Sequence, residues 1–270
     1  MKTILCASDF SENAKSALNW AAFLANKLNT PLHIYHCYHI PVMVNDIPFP
    51  IGTEIEIENG LEKMIDEEAI RISKDYPTLT LIKKVEPGFA TESIQSYANF
   101  IDAGLIVVGL SGKSKLGQVL VGSTAVNISL RTKIPILVIP NSNKSTRIVN
   151  FALATDCNPS ISGLYNKLFF DIIDLFKPSL SLVHIITKDE EKNFNKFVLN
   201  QDGMPKISYK EFTMKDESVE SGLAHFTEEN KIDLITIIHK KHSFFERMLT
   251  RSHTSKLAFK LKIPILVLHE

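Results

Sequence analysis

The chain has 270 residues, of which 44% are hydrophobic, and it carries 30 Lys and Arg against 30 Asp and Glu. That length suits one large domain or two of ordinary size, and the apolar fraction is sufficient for a globular core, which excludes a disordered protein. Because the charges balance, nothing in the overall composition favours a nucleic-acid groove or an anionic membrane surface as a partner.

Targeting and cysteine usage predict a cytoplasmic protein. The apolar run at the start, within Met1–Asp9, is too short for a secretory signal, and no apolar span is long enough to cross a bilayer. Cys6, Cys37 and Cys157 have no metal-like spacing and stand in or beside predicted strands. We therefore expect buried, reduced thiols in a reducing cytoplasm.

In chain order, short β-branched runs alternate with stretches of helical periodicity, which is typical of βαβ units around a parallel sheet. Ser11 is placed to cap a first helix that runs to Leu28, with Trp20 in its packed layer. The strands of the first half are predicted at 3–8, 31–37, 79–86, 105–109 and 134–139.

A glycine-rich loop follows the apolar run Leu105–Val108 and leads towards a helix. Glycines let backbone N–H groups approach an anion, and a helix N-terminus favours negative charge, although a plain flexible turn is the alternative. A Walker A loop is excluded because it needs glycine where Val107 stands, and the pattern G-x-G-x-x-G is absent. The phosphate-binding candidates are Gly109, Gly112, Gly122, Ser123 and Thr124.

The second half of the chain repeats the first. Residues 104–139 align with 233–268 at a constant offset of 129 and without a gap. The join Asn141–Thr146 is small and polar, as a linker should be. We predict an α/β fold of two tandem five-stranded parallel-sheet domains, one over 1–142 and one over 147–270.

The loop has a spacing that resembles the nucleotide-binding signature of the universal stress protein family: Gly, two residues, Gly, nine residues, then Gly followed by Ser or Thr. Gly109, Gly112, Gly122 and Ser123 match it position for position. Both halves resemble that domain, but the motif is complete only in the first. The resemblance implies a tandem member with Rossmann-like domains, similar to those of adenine nucleotide alpha-hydrolases, that hold ATP at the carboxyl ends of the strands.

The resemblance also implies the residues of an ATP site. Asp9 would contact the nucleoside and is a candidate Mg²⁺ ligand, although an Asp there also suits a cap of the first helix. Cys37 stands where the family has a small apolar residue beside adenine, while Lys113 and Lys115 only add nearby positive charge. The predicted site residues are Ala7, Asp9, Cys37, Val108, Gly109, Gly112, Gly122, Ser123 and Thr124.

In the second half every glycine of the motif is replaced, which predicts that its ATP site is lost. The replacements at 109, 112 and 122 are Ile238, Lys241 and Arg251. Cations and imidazoles gather there instead, and three interpretations remain open: a solvated polar rim, an anion site built from side chains, or a transition-metal site. The histidines concerned are His239, His242 and His253.

These patterns predict a cytoplasmic stress-response protein that binds ATP and hydrolyses it slowly at most, because no arginine finger, Walker B acid or general base is evident. One alternative is a pseudo-dimeric interaction scaffold without nucleotide, in which the closing strands 134–139 and 263–268 pair or pack across a pseudo-twofold axis. Another is a hydrolase that cleaves ATP between the α and β phosphates, which the loop Ala7–Ser11 disfavours because it lacks the Ser-Gly-Gly-x-Asp-Ser pattern. Protein partners and a further homodimer stay open.

Overall fold

The computed structural model describes residues 2–40, 51–110, 123–140, 146–155, 167–187, 207–239 and 261–269. Strands and helices alternate along most of this part of the chain. The strands are β1 (Ile4–Ala7), β2 (Leu32–Tyr38), β3 (Leu81–Pro87), β4 (Leu105–Gly109), β5 (Ile136–Ile139), β6 (Asn150–Ala154), β7 (Ser179–Ile186), β8 (Tyr209–Lys215), β9 (Leu234–His239) and β10 (Ile265–His269). The helices are α1 (Glu12–Lys27), α2 (Ile51–Asp75), α3 (Ala90–Phe100), α4 (Ser123–Arg131), α5 (Lys167–Phe176) and α6 (Val219–Glu229).

The strands of the first half lie where the sequence predicts them, to within about two residues at each end. β5 starts later than predicted, at Ile136. Pro135 has no N–H to give to the sheet, but its carbonyl still accepts a hydrogen bond from the Ile106 amide at 2.9 Å.

Helix α1 begins and packs as its sequence predicts. Ser11 is the N-cap, in extended conformation, and its hydroxyl accepts a hydrogen bond from the Ala14 amide at 3.2 Å. Trp20 is 1% exposed and belongs to the core on the α1 side of the sheet. It is therefore a packing residue, as expected.

All described strands form one sheet in the order β3-β2-β1-β4-β5-β10-β9-β6-β7-β8. Pairing is parallel within each half and antiparallel between β5 and β10. Successive strand residues enter opposite core clusters, Ile4 and Cys6 on one face and Leu5 on the other, because side chains alternate along a strand. The predicted α/β class is confirmed, with the two halves joined edge to edge.

A pseudo-twofold axis passes through the junction of the two halves. Leu137 pairs with Leu266, its own counterpart at the offset of 129, and Ile136 pairs with Val267. Beside the junction, the His269 Nε2 atom lies 2.7 Å from the Ser129 carbonyl oxygen, to which it donates. The predicted pairing of the closing strands is thus observed, whereas the domain limits remain a prediction because residues 141–145 lie outside the described chain.

None of the helices described is both long and apolar enough to cross a membrane.

Candidate functional site

A cleft opens at the carboxyl ends of β1, β2 and β4, and the N-terminal turns of α3 and α4 complete its wall. Its empty space is about 560 Å³, with open solvent at the mouth included. Open α/β sheets bind ligands at this edge. The lining residues are Ala7, Ser8, Asp9, Ala14, Tyr35, Cys37, Ala90, Ile94, Val108, Gly109, Thr124 and Ala125.

The strand order divides the cleft into two sides. Because β1 lies between β2 and β4, Tyr35 and Cys37 stand on one side of Ala7, and Val108 and Gly109 on the other. The β2 side is apolar and aromatic. The β4 side offers a glycine backbone and the start of α4, whose unpaired N–H groups favour an anion.

The loop after β1 is a compact turn that presents Asp9. Phe10 has a positive φ of 60°, and its amide donates to the Ser8 hydroxyl at 3.1 Å. Asp9 Oδ1 accepts from both the amide and the hydroxyl of Ser11, at 3.1 and 2.5 Å. The N-cap of α1 is Ser11, so the alternative that Asp9 is itself the cap is wrong. The exposed carboxylate of Asp9 instead holds Ser11 in place through these two hydrogen bonds.

A histidine fixes this turn from the neighbouring strand. His36 Nδ1 donates to the Ser8 carbonyl oxygen at 2.7 Å, and its ring lies 4.5 Å from that of Phe10 between centroids. The second half repeats the bond, with His184 Nδ1 donating to the Thr155 carbonyl at 2.8 Å. The bond is therefore common to both halves and is not specific to the first.

Gly109 ends β4 against the start of α1. A Cβ atom there would lie 2.6 Å from the Asn13 carbonyl oxygen and 3.0 Å from the Ala14 amide nitrogen. Its φ is not positive, so backbone strain does not require a glycine at this position. The glycine is needed for close approach of helix and strand, and the Asn13 side chain, which donates to the Leu110 carbonyl, closes the same contact.

The remainder of the glycine motif is described in part. Gly112 and Gly122 lie outside the described residues, as do Lys113 and Lys115. Helix α4 begins at Ser123, where the motif predicts a helix start, and Thr124 is partly buried against the cleft.

The three cysteines have different environments. Cys6 is fully buried in the core, and burial raises the pKa of its thiol, which makes it unreactive. Cys37 is half-buried and lines the cleft, so the expectation of a fully buried thiol is wrong there. Strand alternation accounts for this, because Cys37 follows Tyr35 on the same face at the point where β2 leaves the core. Cys157 lies outside the described residues.

Sequence reasoning missed Tyr35, on the floor of the cleft. Its hydroxyl donates to Glu86 Oε1 at 2.6 Å, and its ring stacks on Tyr97 with centroids 4.8 Å apart. Burial, reinforced by the Glu86 carboxylate, raises the pKa of this hydroxyl. The sequence did offer a signal for Tyr35: it lies two positions before Cys37, and residues two apart in a strand share a face. The other lining residues missed are Ser8, Ala14, Ala90, Ile94 and Ala125.

The second half lacks the glycine contact. Ile238 stands at the position of Gly109 and is buried in the core. His239 ends β9 in register with His269, while His242 and His253 lie outside the described residues. Within the described part of the chain, no group of three or more His, Cys, Asp or Glu could hold a metal. The three interpretations of this cluster therefore stay open.

Comparison with known proteins points to one family. The family model for universal stress proteins matches residues 1–140. The stress response protein NhaX of Bacillus subtilis is 26% identical over 159 residues, covering 50% of this chain and 96% of NhaX.

Solved structures of two universal stress proteins are similar to this chain. A universal stress protein from Archaeoglobus fulgidus DSM 4304 aligns over 99% of this chain and 98% of its own, with a TM-score of 0.71 and 16% identity. A universal stress protein in complex with cAMP covers 53% of this chain and 98% of its own, with a TM-score of 0.40 and 21% identity.

At 16% identity the Archaeoglobus fulgidus structure shows the fold alone, and the family model supplies the assignment. The resemblance to the universal stress protein family and the α/β fold are thereby confirmed, whereas the glycine motif and the membership of the second half stay predictions. The chain belongs to the universal stress protein family.

Proposed function

We propose that the first half of the chain binds ATP and that the protein is a cytoplasmic, stress-response binding protein rather than an efficient enzyme. The observation that carries the proposal is the cleft at the ends of β1, β2 and β4, which has an apolar side and an anion-favouring side. A nucleotide has the same two-part chemistry, a flat base and a charged tail.

The residues present fit such a ligand. The half-buried Cys37 offers an apolar surface to a base above the buried Tyr35 and Ile94, and Thr124, in the first turn of α4, offers a hydroxyl beside that helix N-terminus. Gly112, Gly122 and Ser123 would complete the phosphate cradle, as the family motif implies. Asp9 supplies a carboxylate among the described lining residues and would be the ligand of an accompanying Mg²⁺ ion.

Slow hydrolysis at most is expected from the same residues. Of the lining side chains in the described part of the chain, only Asp9 is acidic, and its Oδ1 atom already accepts two hydrogen bonds from Ser11. Efficient phosphoryl transfer also needs a positioned water and a cation that stabilises the transition state. We therefore propose that ATP acts as a bound ligand.

A second candidate function is an interaction scaffold without nucleotide. The antiparallel pairing of β5 with β10 favours it, because this pairing fixes the two halves as an intramolecular pseudo-dimer whether or not a ligand binds. The two functions differ in whether ATP binds at all.

Isothermal titration with ATP separates the candidates. We expect one ATP per chain, with binding greatly weakened by Gly122→Val because the added side chain would enter the phosphate path. Arg251→Ala is the control and should leave the stoichiometry unchanged, since the second half is expected not to contribute. No heat and no thermal shift at a saturating ATP concentration would favour the scaffold, and pyrophosphate release would favour the hydrolase.

A further inference from the structure

An aromatic pair stands beside the apolar side of the cleft. The rings of His39 and Phe89 are 5.0 Å apart between centroids, at an interplanar angle of 33°. His39 lies two residues beyond Cys37, and Phe89 immediately precedes Ala90. Since Cys37 and Ala90 both line the cleft, the pair lies next to its β2 side.

Phe89 has no evident role in the fold. It is 66% exposed, so most of its ring gains nothing from burial. It is also the N-cap of α3, in the extended conformation that suits a capping side chain, yet it makes no side-chain cap bond. Ser, Thr, Asp or Asn would serve better there, particularly because Glu92 occupies the third helical position, where a capping box needs it.

The turn before Phe89 has a fixed shape because of Gly88. Gly88 has a positive φ of 156°, and a Cβ atom there would lie 2.2 Å from the Ser93 hydroxyl oxygen. This turn fixes where the following residue starts the helix and so where the Phe89 ring stands. Phe89 therefore departs from two local preferences: it exposes an aromatic ring, and it is a poor N-cap. Because it stands on a turn of fixed shape beside the cleft, these departures indicate selection for contact with a ligand.

We propose that Phe89, backed by His39, is a stacking surface for the purine base of the nucleotide bound in the cleft. The inference rests on the proposed ATP binding. It follows from the division of the cleft: the phosphates belong to the Gly109 and α4 side, so the base must extend across β1 to the β2 side, where the two rings stand. A flat aromatic surface favours a purine over a pyrimidine because the overlap is larger.

The substitution Phe89→Ser separates ligand contact from a structural role. The new hydroxyl can cap α3, so the variant should unfold at a higher denaturant concentration than the wild type. The same variant should bind ATP about tenfold more weakly, because base stacking is lost. Stability and affinity would then move in opposite directions, which a purely structural residue would not produce.

Three controls accompany it in isothermal titration. Phe100→Ala removes a phenyl ring that is 84% exposed at the far end of the same helix, and it should leave ATP affinity unchanged. Phe89→Trp keeps an aromatic surface and should keep the affinity. Inorganic tripolyphosphate, which has no base, should bind the wild type and Phe89→Ser equally.

The outcomes distinguish this inference from the function on which it rests. If the wild-type protein binds no ATP, both are overturned. If it binds ATP and Phe89→Ser binds equally well, the stacking surface alone is overturned. If Phe89→Ser weakens tripolyphosphate as much as ATP, or if Phe100→Ala weakens ATP as much as Phe89→Ser, the effect is not base stacking and the inference is again overturned.

Discussion

Replacement of Gly109 by alanine tests the contact between β4 and the start of α1. The added Cβ would lie 2.6 Å from the carbonyl oxygen and 2.7 Å from the carbonyl carbon of Asn13, and 3.0 Å from the amide nitrogen of Ala14. Ordinary contacts begin at 3.4 Å, so helix and strand must separate by up to about 0.8 Å. All three atoms belong to the backbone, and no rotamer change can relieve them.

The size of the effect follows from this geometry. Overpacking of a core costs about 1–3 kcal/mol, and we expect Gly109→Ala near the upper end because the neighbours are backbone atoms. The shift would also strain the hydrogen bond from the Asn13 side chain to the Leu110 carbonyl. Urea denaturation followed by far-UV circular dichroism should show a lower midpoint with an unchanged slope.

Gly60→Ala is the matched control. Gly60 lies in α2, and a Cβ atom there would have no other atom within 4 Å. Alanine should stabilise that helix by roughly 0.5–1 kcal/mol, because glycine loses more backbone entropy on folding. If Gly109→Ala is as stable as the wild type while Gly60→Ala behaves as expected, the close approach of α1 to β4 is not what requires a glycine.

Three further predictions concern stability. Gly222→Ala should destabilise the fold because its Cβ would lie 2.6 Å from Ile185 Cγ2. In a double-mutant cycle measured by denaturant unfolding, the loss of unfolding free energy in the variant that also carries Ile185→Ala should be smaller than the sum of the two single losses. Strict additivity would contradict the contact. Ser11→Ala should cost about 0.5–2 kcal/mol in the same assay through loss of the α1 cap, and an unchanged midpoint would show that the cap is dispensable. Desolvation lowers the pKa of His33 below its usual 6.5, so the unfolded chain takes up a proton before the folded chain does as the pH falls from 6.5. The free energy of unfolding should therefore decrease over that range, and His33→Gln should flatten the decrease; a slope equal to that of the wild type would contradict this.

The fold was predictable because the pattern of each strand is local. Runs such as Leu105–Val108 show a buried parallel strand by their own composition, and the offset of 129 reveals the second half by direct comparison. The start of α4 at Ser123 likewise follows from the motif that precedes it.

The contacts that shape the cleft were less accessible, because they join residues far apart in the chain. Gly109 is required by the backbone at Asn13, and Tyr35 donates its hydrogen bond to Glu86. The hydrophobic periodicity of the sequence does not show which distant residues form such pairs. The environment of Phe89 depends on where β2 ends relative to α3, which only the register of β2 with β3 determines.

The antiparallel junction at Leu137 and Leu266 makes this polypeptide a covalent heterodimer of unlike lobes. Separate subunits can exchange and can assemble in any ratio, but here synthesis of one chain always yields one lobe of each kind. The outer strands β3 and β8 carry exposed lysines, among them Lys83 and Lys210, which discourage extension of the sheet by another copy. A second lobe whose sequence has diverged is therefore always paired, through β5 and β10, with the first lobe of the same chain.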